Sequence, residues 1–240
     1  MATAGIILIG DEILSGKVVD ENAQYLIREL RALGTALRRI AVIPDTLEEI
    51  SATVKDFAAR FTHVFTSGGV GPTHDDLTME GVARAFGRGV VRHPELERLM
   101  RGFYGERLVE RNLRMCDVPE GASLVGGDHP SWPVIACENV YILPGVPEIF
   151  RRKFDSIRER FRVAPFHLKQ IYTSAEEGTI AQHLDDVVAA HPTVAVGSYP
   201  KLDDTDYRVK VTLESKDAAA VEQATAALVA ALGPLVVRVA

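Results

Sequence analysis

Short apolar runs alternate along the chain with longer segments whose apolar positions recur every three or four residues. Gly5–Gly10 (GIILIG) is apolar throughout, the pattern of a strand buried on both faces of a parallel sheet. His63-Val64-Phe65 is a second such run, and Ala36–Ile43 a third, interrupted by Arg38 and Arg39. Between them, Asp20-Glu21-Asn22 opens a helix carrying Leu26, Ile27, Leu30 and Leu33 on one face, and Gly34 stops it. Leu47 to Arg60 predicts another helix, with Ile50, Val54, Phe57 and Ala58 inward and Asp45 or Thr46 as N-cap. Thr78 is expected to cap a helix over Met79–Gly87, and Pro94 to start one running to about Arg107. Val134–Cys137 and Val140–Leu143, around Glu138-Asn139, predict a hairpin. Pro147 then opens an amphipathic helix that ends near Arg162. Strands alternating with helices imply a parallel sheet with right-handed crossovers, an α/β fold.

The rhythm changes after Val163-Ala164-Pro165. Residues 168–174, 194–199, 207–214 and 235–239 read as strands and 179–190 and 218–232 as helices. The order β-α-β-β-α-β is that of a split, ferredoxin-like α+β module. The expected division is therefore an α/β domain over 1–164 and a small α+β module over 165–240. Within the module, Gly197-Ser198-Tyr199-Pro200 and Arg208 hint at ligand contact, although structural roles explain them more simply.

The stretch with the most chemistry is Thr66-Ser67-Gly68-Gly69-Val70-Gly71-Pro72-Thr73-His74-Asp75-Asp76-Leu77-Thr78, which leads from the second apolar run into a helix. Its glycines permit positive φ and close approach of a ligand to the backbone. Amides freed in such a turn, next to a helix N-terminus, form a concavity for phosphate. Ser67 to Thr73 are the expected cradle. Asp75 and Asp76 beside it suit a divalent cation that bridges protein and phosphate, although two acids before Thr78 also make ordinary helix-start chemistry. His74 is a candidate base or a partner for the carboxylates. Gly10, Asp11 and Glu12 end the first strand, where ligand groups of open α/β sheets stand; a solvated turn is the alternative. Asp45 ends a neighbouring strand on the same rim, with simple capping as its alternative. Pro144-Gly145-Val146-Pro147-Glu148 forms a stiff elbow. Pro144, Gly145 and Glu148 are candidates for the opposite wall, unless the elbow is only a helix start.

Composition narrows the classes. The 240 residues are 47% hydrophobic, ample for a core, and the net charge of −6 implies no general affinity for nucleic acid. Met1–Ala4 shows no leader and the chain no membrane span, so a cytoplasmic protein without nucleic-acid or membrane partners is expected. Cys116 and Cys137 lack metal-ligand spacing and are expected to be reduced. The sole tryptophan, in the loop Asp128–Pro133, is expected to pack.

With these motifs in place, the chain resembles the MoaB/MogA-like molybdopterin-binding domain family, in the branch that holds the CinA N-terminal domain and the domain linked to FAD synthases. The resemblance rests on Gly10-Asp11-Glu12-Ile13-Leu14 with Gly16, Asn22, Pro44-Asp45, the segment Gly68–Thr78 and Leu143–Glu148. It implies a three-layer α/β/α sandwich with the pocket where the glycine turn meets neighbouring strand ends. Asp45 and Asp76 match the family's essential aspartates. The branch implies metal-dependent hydrolysis of the pyrophosphate of ADP-ribose or FAD. Asp75 and Asp76, alone or together with Asp45 and Asp11, are the expected ligands, and their hard oxygens suit Mg²⁺, Mn²⁺ or Co²⁺. Carriage of molybdopterin or a nucleotide, or adenylyl transfer to molybdopterin, are the alternatives. Homo-oligomers, dimers or trimers, are implied as well. Ser131-Trp132-Pro133-Val134 and His74 depart from the CinA pattern toward the FAD-synthase-linked one. The length leaves no room for the amidase of CinA or the transferase of FAD synthase, so neither NMN deamidation nor FAD synthesis is expected.

Overall fold

The structure is a computed structural model describing residues 1–126, 132–201 and 206–240. It falls into two compact units, Met1–Val163 and Ala164–Ala240.

In the first unit the elements follow as β1 (Thr3–Ile9), α1 (Asp11–Leu14), α2 (Asn22–Ala32), β2 (Ala36–Ile43), α3 (Leu47–Arg60), β3 (His63–Ser67) and α4 (Thr78–Ala85). Next come β4 (Val90–Arg92), α5 (Pro94–Tyr104), β5 (Asp117–Pro119), β6 (Ser123–Val125), β7 (Val134–Cys137), β8 (Val140–Leu143) and α6 (Pro147–Ile157). The main sheet has the order β2-β1-β3-β8-β7-β6. Its strands β2, β1, β3 and β8 pair in parallel, and β7 and β6 close one side antiparallel.

Side-chain alternation accounts for the unbroken apolar run of β1. Ile6 and Leu8 pack with Leu26 and Leu30 of α2 and Phe150 and Phe154 of α6. Ile7 and Ile9 face the other way, toward Ile50, Val54 and Phe57 of α3 and Val82 of α4. A strand with a helical layer on each face needs apolar residues at every position, and the three layers follow. β2 lies at the sheet edge, where Arg38 and Arg39 reach solvent.

The structure departs from the sequence reading at several places. Thr78 is the first residue of α4 rather than its N-cap, because its hydroxyl instead donates to the buried carbonyl of Gly68 at 2.8 Å. Thr46, not Asp45, caps α3, accepting from the Glu49 amide at 3.4 Å. α5 stops at Tyr104, where Gly105 takes positive φ, and 3-10 turns over Gly105–Arg107 and Glu110–Cys116 follow. The short strands β4 and β5, which pair Val90 with Pro119, are too brief for any periodicity to announce. Of the loop Asp128–Pro133, residues 128–131 lie outside the described residues, and Trp132 packs against the core. Lys153 of α6 donates to the carbonyls of Trp132 (3.1 Å) and Pro133 (2.6 Å), and burial lowers its pKa to about 7. Cys116 and Cys137 are free and buried, and burial pushes the Cys116 thiol up to about 11.

The second unit runs β9 (His167–Thr173), α7 (Glu177–Ala190), β10 (Ala195–Pro200), β11 (Val209–Ser215), α8 (Ala218–Leu232) and β12 (Val236–Val239). Its antiparallel sheet has the order β10-β11-β9-β12. This is the ferredoxin-like arrangement. Ile171, Val211 and Leu213 pack against Ile180 and Leu228 of the two helices. Ala218–Leu235 has the length and mean hydropathy, 1.4, of a membrane span. Its Val221, Ala224, Leu228 and Leu232 instead bury against the module's own sheet. Residues 202–205 of the β10–β11 connection lie outside the described residues.

The aromatic packing under the central strand gives a direct test. Phe154 is 0% exposed and meets Phe65 edge to face at 5.7 Å. Phe154→Ala is expected to cost about 3–5 kcal/mol, read from a fall in the urea midpoint at unchanged m-value.

Candidate phosphate-binding site

The parallel strands deliver their carboxyl ends to one rim. Ile9 pairs with Ile43, Leu8 with Ser67 and Ser67 with Leu143, so Gly10, Asp45, Gly68 and Pro144 leave the sheet side by side. Ligands of open α/β sheets bind outside such strand ends.

At Gly68 the chain turns with φ +105°, and a Cβ there would lie 2.2 Å from the carbonyl oxygen of Ile9. The Gly68 amide donates to Leu143 O at 3.2 Å. A Cβ on Gly145 would stand 3.4 Å from Gly68 Cα, so the elbow after β8 touches the turn after β3. Asn22, 3% exposed, locks the contact: its side-chain amide donates to Ser67 Oγ (2.9 Å) and to Gly145 O (2.8 Å). The two walls expected from the sequence are thus in contact.

Gly69 also has positive φ, +63°, and its carbonyl accepts from the Thr78 amide at 3.0 Å, which folds the turn onto the start of α4. Among the described residues no protein acceptor pairs with the amides of Gly69, Val70 or Gly71, which are half-buried. Pro72 and Thr73 complete the turn.

The acids divide into two groups. The Asp11 amide donates to Asp45 Oδ2 at 2.8 Å, tying the end of β1 to the end of β2. Burial raises the Asp45 carboxyl above its ordinary range; the Asp11 amide offsets part of this, and the nearby Glu12, Asp11 and Asp75 carboxylates raise it further. Asp11, Glu12, Asp45 and Asp75 therefore share one field. Asp76 turns inward: it accepts from the Thr73 amide at 2.7 Å and from the Thr73 hydroxyl, and packs over Gly71. His74 is 92% exposed, with Nδ1 3.8 Å from Asp75. Glu148 is exposed in the first turn of α6.

Among the described residues, no group of three His, Cys, Asp or Glu side chains is arranged to hold a metal ion. Asp45, Asp75 and Asp76 are not preassembled around one point. The donor chemistry nevertheless fits a hard cation that takes one or two carboxylates and completes its shell with phosphate oxygens and water, the usual habit of Mg²⁺.

Two residues that position the turn stood outside the candidate set. Asn22 was legible only as part of the family motif. Arg114, whose Nη1 donates to Thr73 O at 3.1 Å, carried no signal, because the contact joins positions 41 residues apart.

The fold is an open α/β sheet whose parallel strands end at one rim, the place where ligands of such sheets bind. Residues 5–162 match the family described as probable molybdopterin binding domain, and residues 165–239 match the FAD synthase middle domain. The chain belongs to the molybdopterin-binding domain family and carries a FAD synthase middle domain after it. It is 32% identical over 256 residues to a probable FAD synthase of Caenorhabditis elegans, covering 94% of this chain and 49% of that protein. It thus spans about half the length of the nematode relatives. A protein of Archaeoglobus fulgidus is 37% identical over 197 residues, covering 82% of this chain and 85% of its own. The crystal structure of a CinA protein of unknown function from Thermoplasma acidophilum superposes with a TM-score of 0.61 at 28% identity. It covers 67% of this chain and 99% of that one.

Two outcomes test this geometry. Gly68→Ala sets a methyl against a backbone carbonyl at a left-handed φ, and is expected to destabilise the fold by about 2–4 kcal/mol in chemical denaturation. Asp45→Asn keeps an acceptor for the Asp11 amide but removes the charge. A carboxyl raised in the fold binds its proton more tightly there, so its ionised form costs stability once pH rises through the folded value. Asp45→Asn is therefore expected to melt higher than the parent at pH 7, with the gap closing as pH falls below the ordinary aspartate value of 3.8.

Proposed function

We propose that the first unit binds an adenine nucleotide diphosphate at the glycine turn and hydrolyses its pyrophosphate bond with a divalent cation, releasing AMP from ADP-ribose or FAD. The observation that carries this reading is the row of unpaired amides at Gly69, Val70 and Gly71 in a half-buried turn that leaves the sheet beside the strand ends bearing Asp11 and Asp45. Amides alone suit a phosphate; mutually repelling acids beside them suit a phosphate that arrives with a cation. The nematode relatives are named FAD synthases, which makes FAD a nucleotide to try.

In this mechanism the three amides hold phosphoryl oxygens and stabilise charge developing there. Asp45 and Asp75 are the carboxylates that would hold the cation, and Asp76 fixes the loop that carries Asp75. A bound Mg²⁺, Mn²⁺ or Co²⁺ would polarise the phosphoryl oxygen and supply an activated water. Because the acids are not preassembled, the cation is expected to bind together with the nucleotide rather than before it. His74, beside Asp75 at the solvent edge, is placed to pass a proton to bulk water.

Chromatography of ADP-ribose and of FAD incubated with the protein tests the proposal. AMP is expected with Mg²⁺, Mn²⁺ or Co²⁺ and not with excess chelator. Asp45→Asn and Asp76→Ala should each lower the rate at least about 10²-fold, on the order of 3 kcal/mol of barrier. No AMP from folded protein would sink the hydrolase. Co-purifying pterin would then mark a molybdopterin carrier, and ATP-dependent adenylylation of that pterin a transferase.

A further inference from the structure

The central loop is gripped from a part of the chain that no motif marks. Arg114 lies in the 3-10 stretch Glu110–Cys116, whose Leu113 and Cys116 are buried in the core, so its backbone is fixed. From there Nη1 donates to the carbonyl of Thr73 at 3.1 Å, and Nη2 stands 3.8 Å from Glu80 Oε1 in the first turn of α4. The same Thr73 gives its amide and its hydroxyl to Asp76. Thr73 is thus held on both sides, by a guanidinium at its carbonyl and by a carboxylate at its donors. Thr73, His74 and Asp75 are otherwise exposed, and no other described residue donates to the Thr73 carbonyl. The rigid fork of an arginine spans two acceptors where an ammonium reaches one.

We propose that Arg114 is a positioning residue for the phosphate site: by fixing the Thr73 carbonyl it sets the loop that directs the Asp75 and Asp76 carboxylates. Its catalytic consequence rests on the diphosphate reading above; its effect on the loop does not. The glycine amides would still hold the phosphates without Arg114, so its loss acts on turnover rather than on affinity.

Amide hydrogen exchange by NMR on the ligand-free full chain reads the loop directly. In Arg114→Met, exchange at the Thr73 amide is expected to rise about 10-fold or more while the β1 amides stay protected, with partial recovery in Arg114→Lys. Unchanged Thr73 exchange overturns the proposal, whether or not the protein hydrolyses anything. If Arg114→Met loses the fold, Arg114→Lys decides: faster Thr73 exchange than the parent supports the two-acceptor grip, and parental exchange overturns it. Where the parent releases AMP, Arg114→Met should lower kcat by about 10- to 100-fold with KM within about twofold. A raised KM at parental kcat would instead make Arg114 a simple binding group and overturn its positioning role. A parent that releases no AMP defeats the diphosphate reading alone, and exchange then settles the role of Arg114.

Discussion

The site depends on one crossing of backbone. Where β3 ends, the chain passes so close to the carbonyl of Ile9 that a Cβ at Gly68 would lie 2.2 Å from its oxygen. That proximity lets the turn settle between the ends of β1 and β8, with the Gly68 amide on Leu143 O and Gly145 against Gly68 Cα. Asn22 closes the junction from beneath, satisfying Ser67 and Gly145 with one side chain. A larger residue at Gly68 would push the turn, and the amides that follow it, off the rim. The sheet supplies strand ends in register; this crossing packs the turns that leave them against one another.

The second constraint is electrostatic. The fold uses the Asp11 amide to hold Asp45, yet burial first, and then the neighbouring Glu12, Asp11 and Asp75 carboxylates, make its ionised form unfavourable. Like charges gathered without an internal cation are a local cost, and such costs persist where function needs them. The field favours whatever brings positive charge to the rim. Asp76 is the exception: with both donors of Thr73 on its carboxylate, it serves first to shape the loop. Of the acid pair adjacent in sequence, Asp75 stays exposed, its carboxyl held below the ordinary range chiefly by the Thr73 side chain, while Asp76 clasps the loop through the Thr73 amide.

Much of the fold was legible because the physics is local. Continuous apolar runs, helical periodicity and Gly or Pro boundaries mark β1, β3, α2, α3 and α6, and the β-α-β-β-α-β order of the second unit reads off in the same way. Its sheet order, β10-β11-β9-β12, completes the ferredoxin-like pattern. What escaped was short or distant. β4 and β5 have three residues each, below any period. Thr78 looked like a cap because its residue type favours one, but the tertiary contact with Gly68 O claimed its hydroxyl. At the site, the glycine turn and the acids at strand ends were visible as residue types. Which acid turns inward, and that Arg114 reaches Thr73, are decided by packing that brings together positions far apart in sequence.

The most direct measurement is diffraction from crystals grown with ADP-ribose and Mn²⁺, using the anomalous signal of manganese to place the ion. The predicted result is a diphosphate on the amides of Gly69, Val70 and Gly71, with one manganese between its oxygens and the carboxylates of Asp45 and Asp75. A nucleotide bound away from the turn, or a manganese seated on the protein with no phosphate beside it, would contradict the idea that the crossing at Gly68 exists to present a phosphate to the acidic rim.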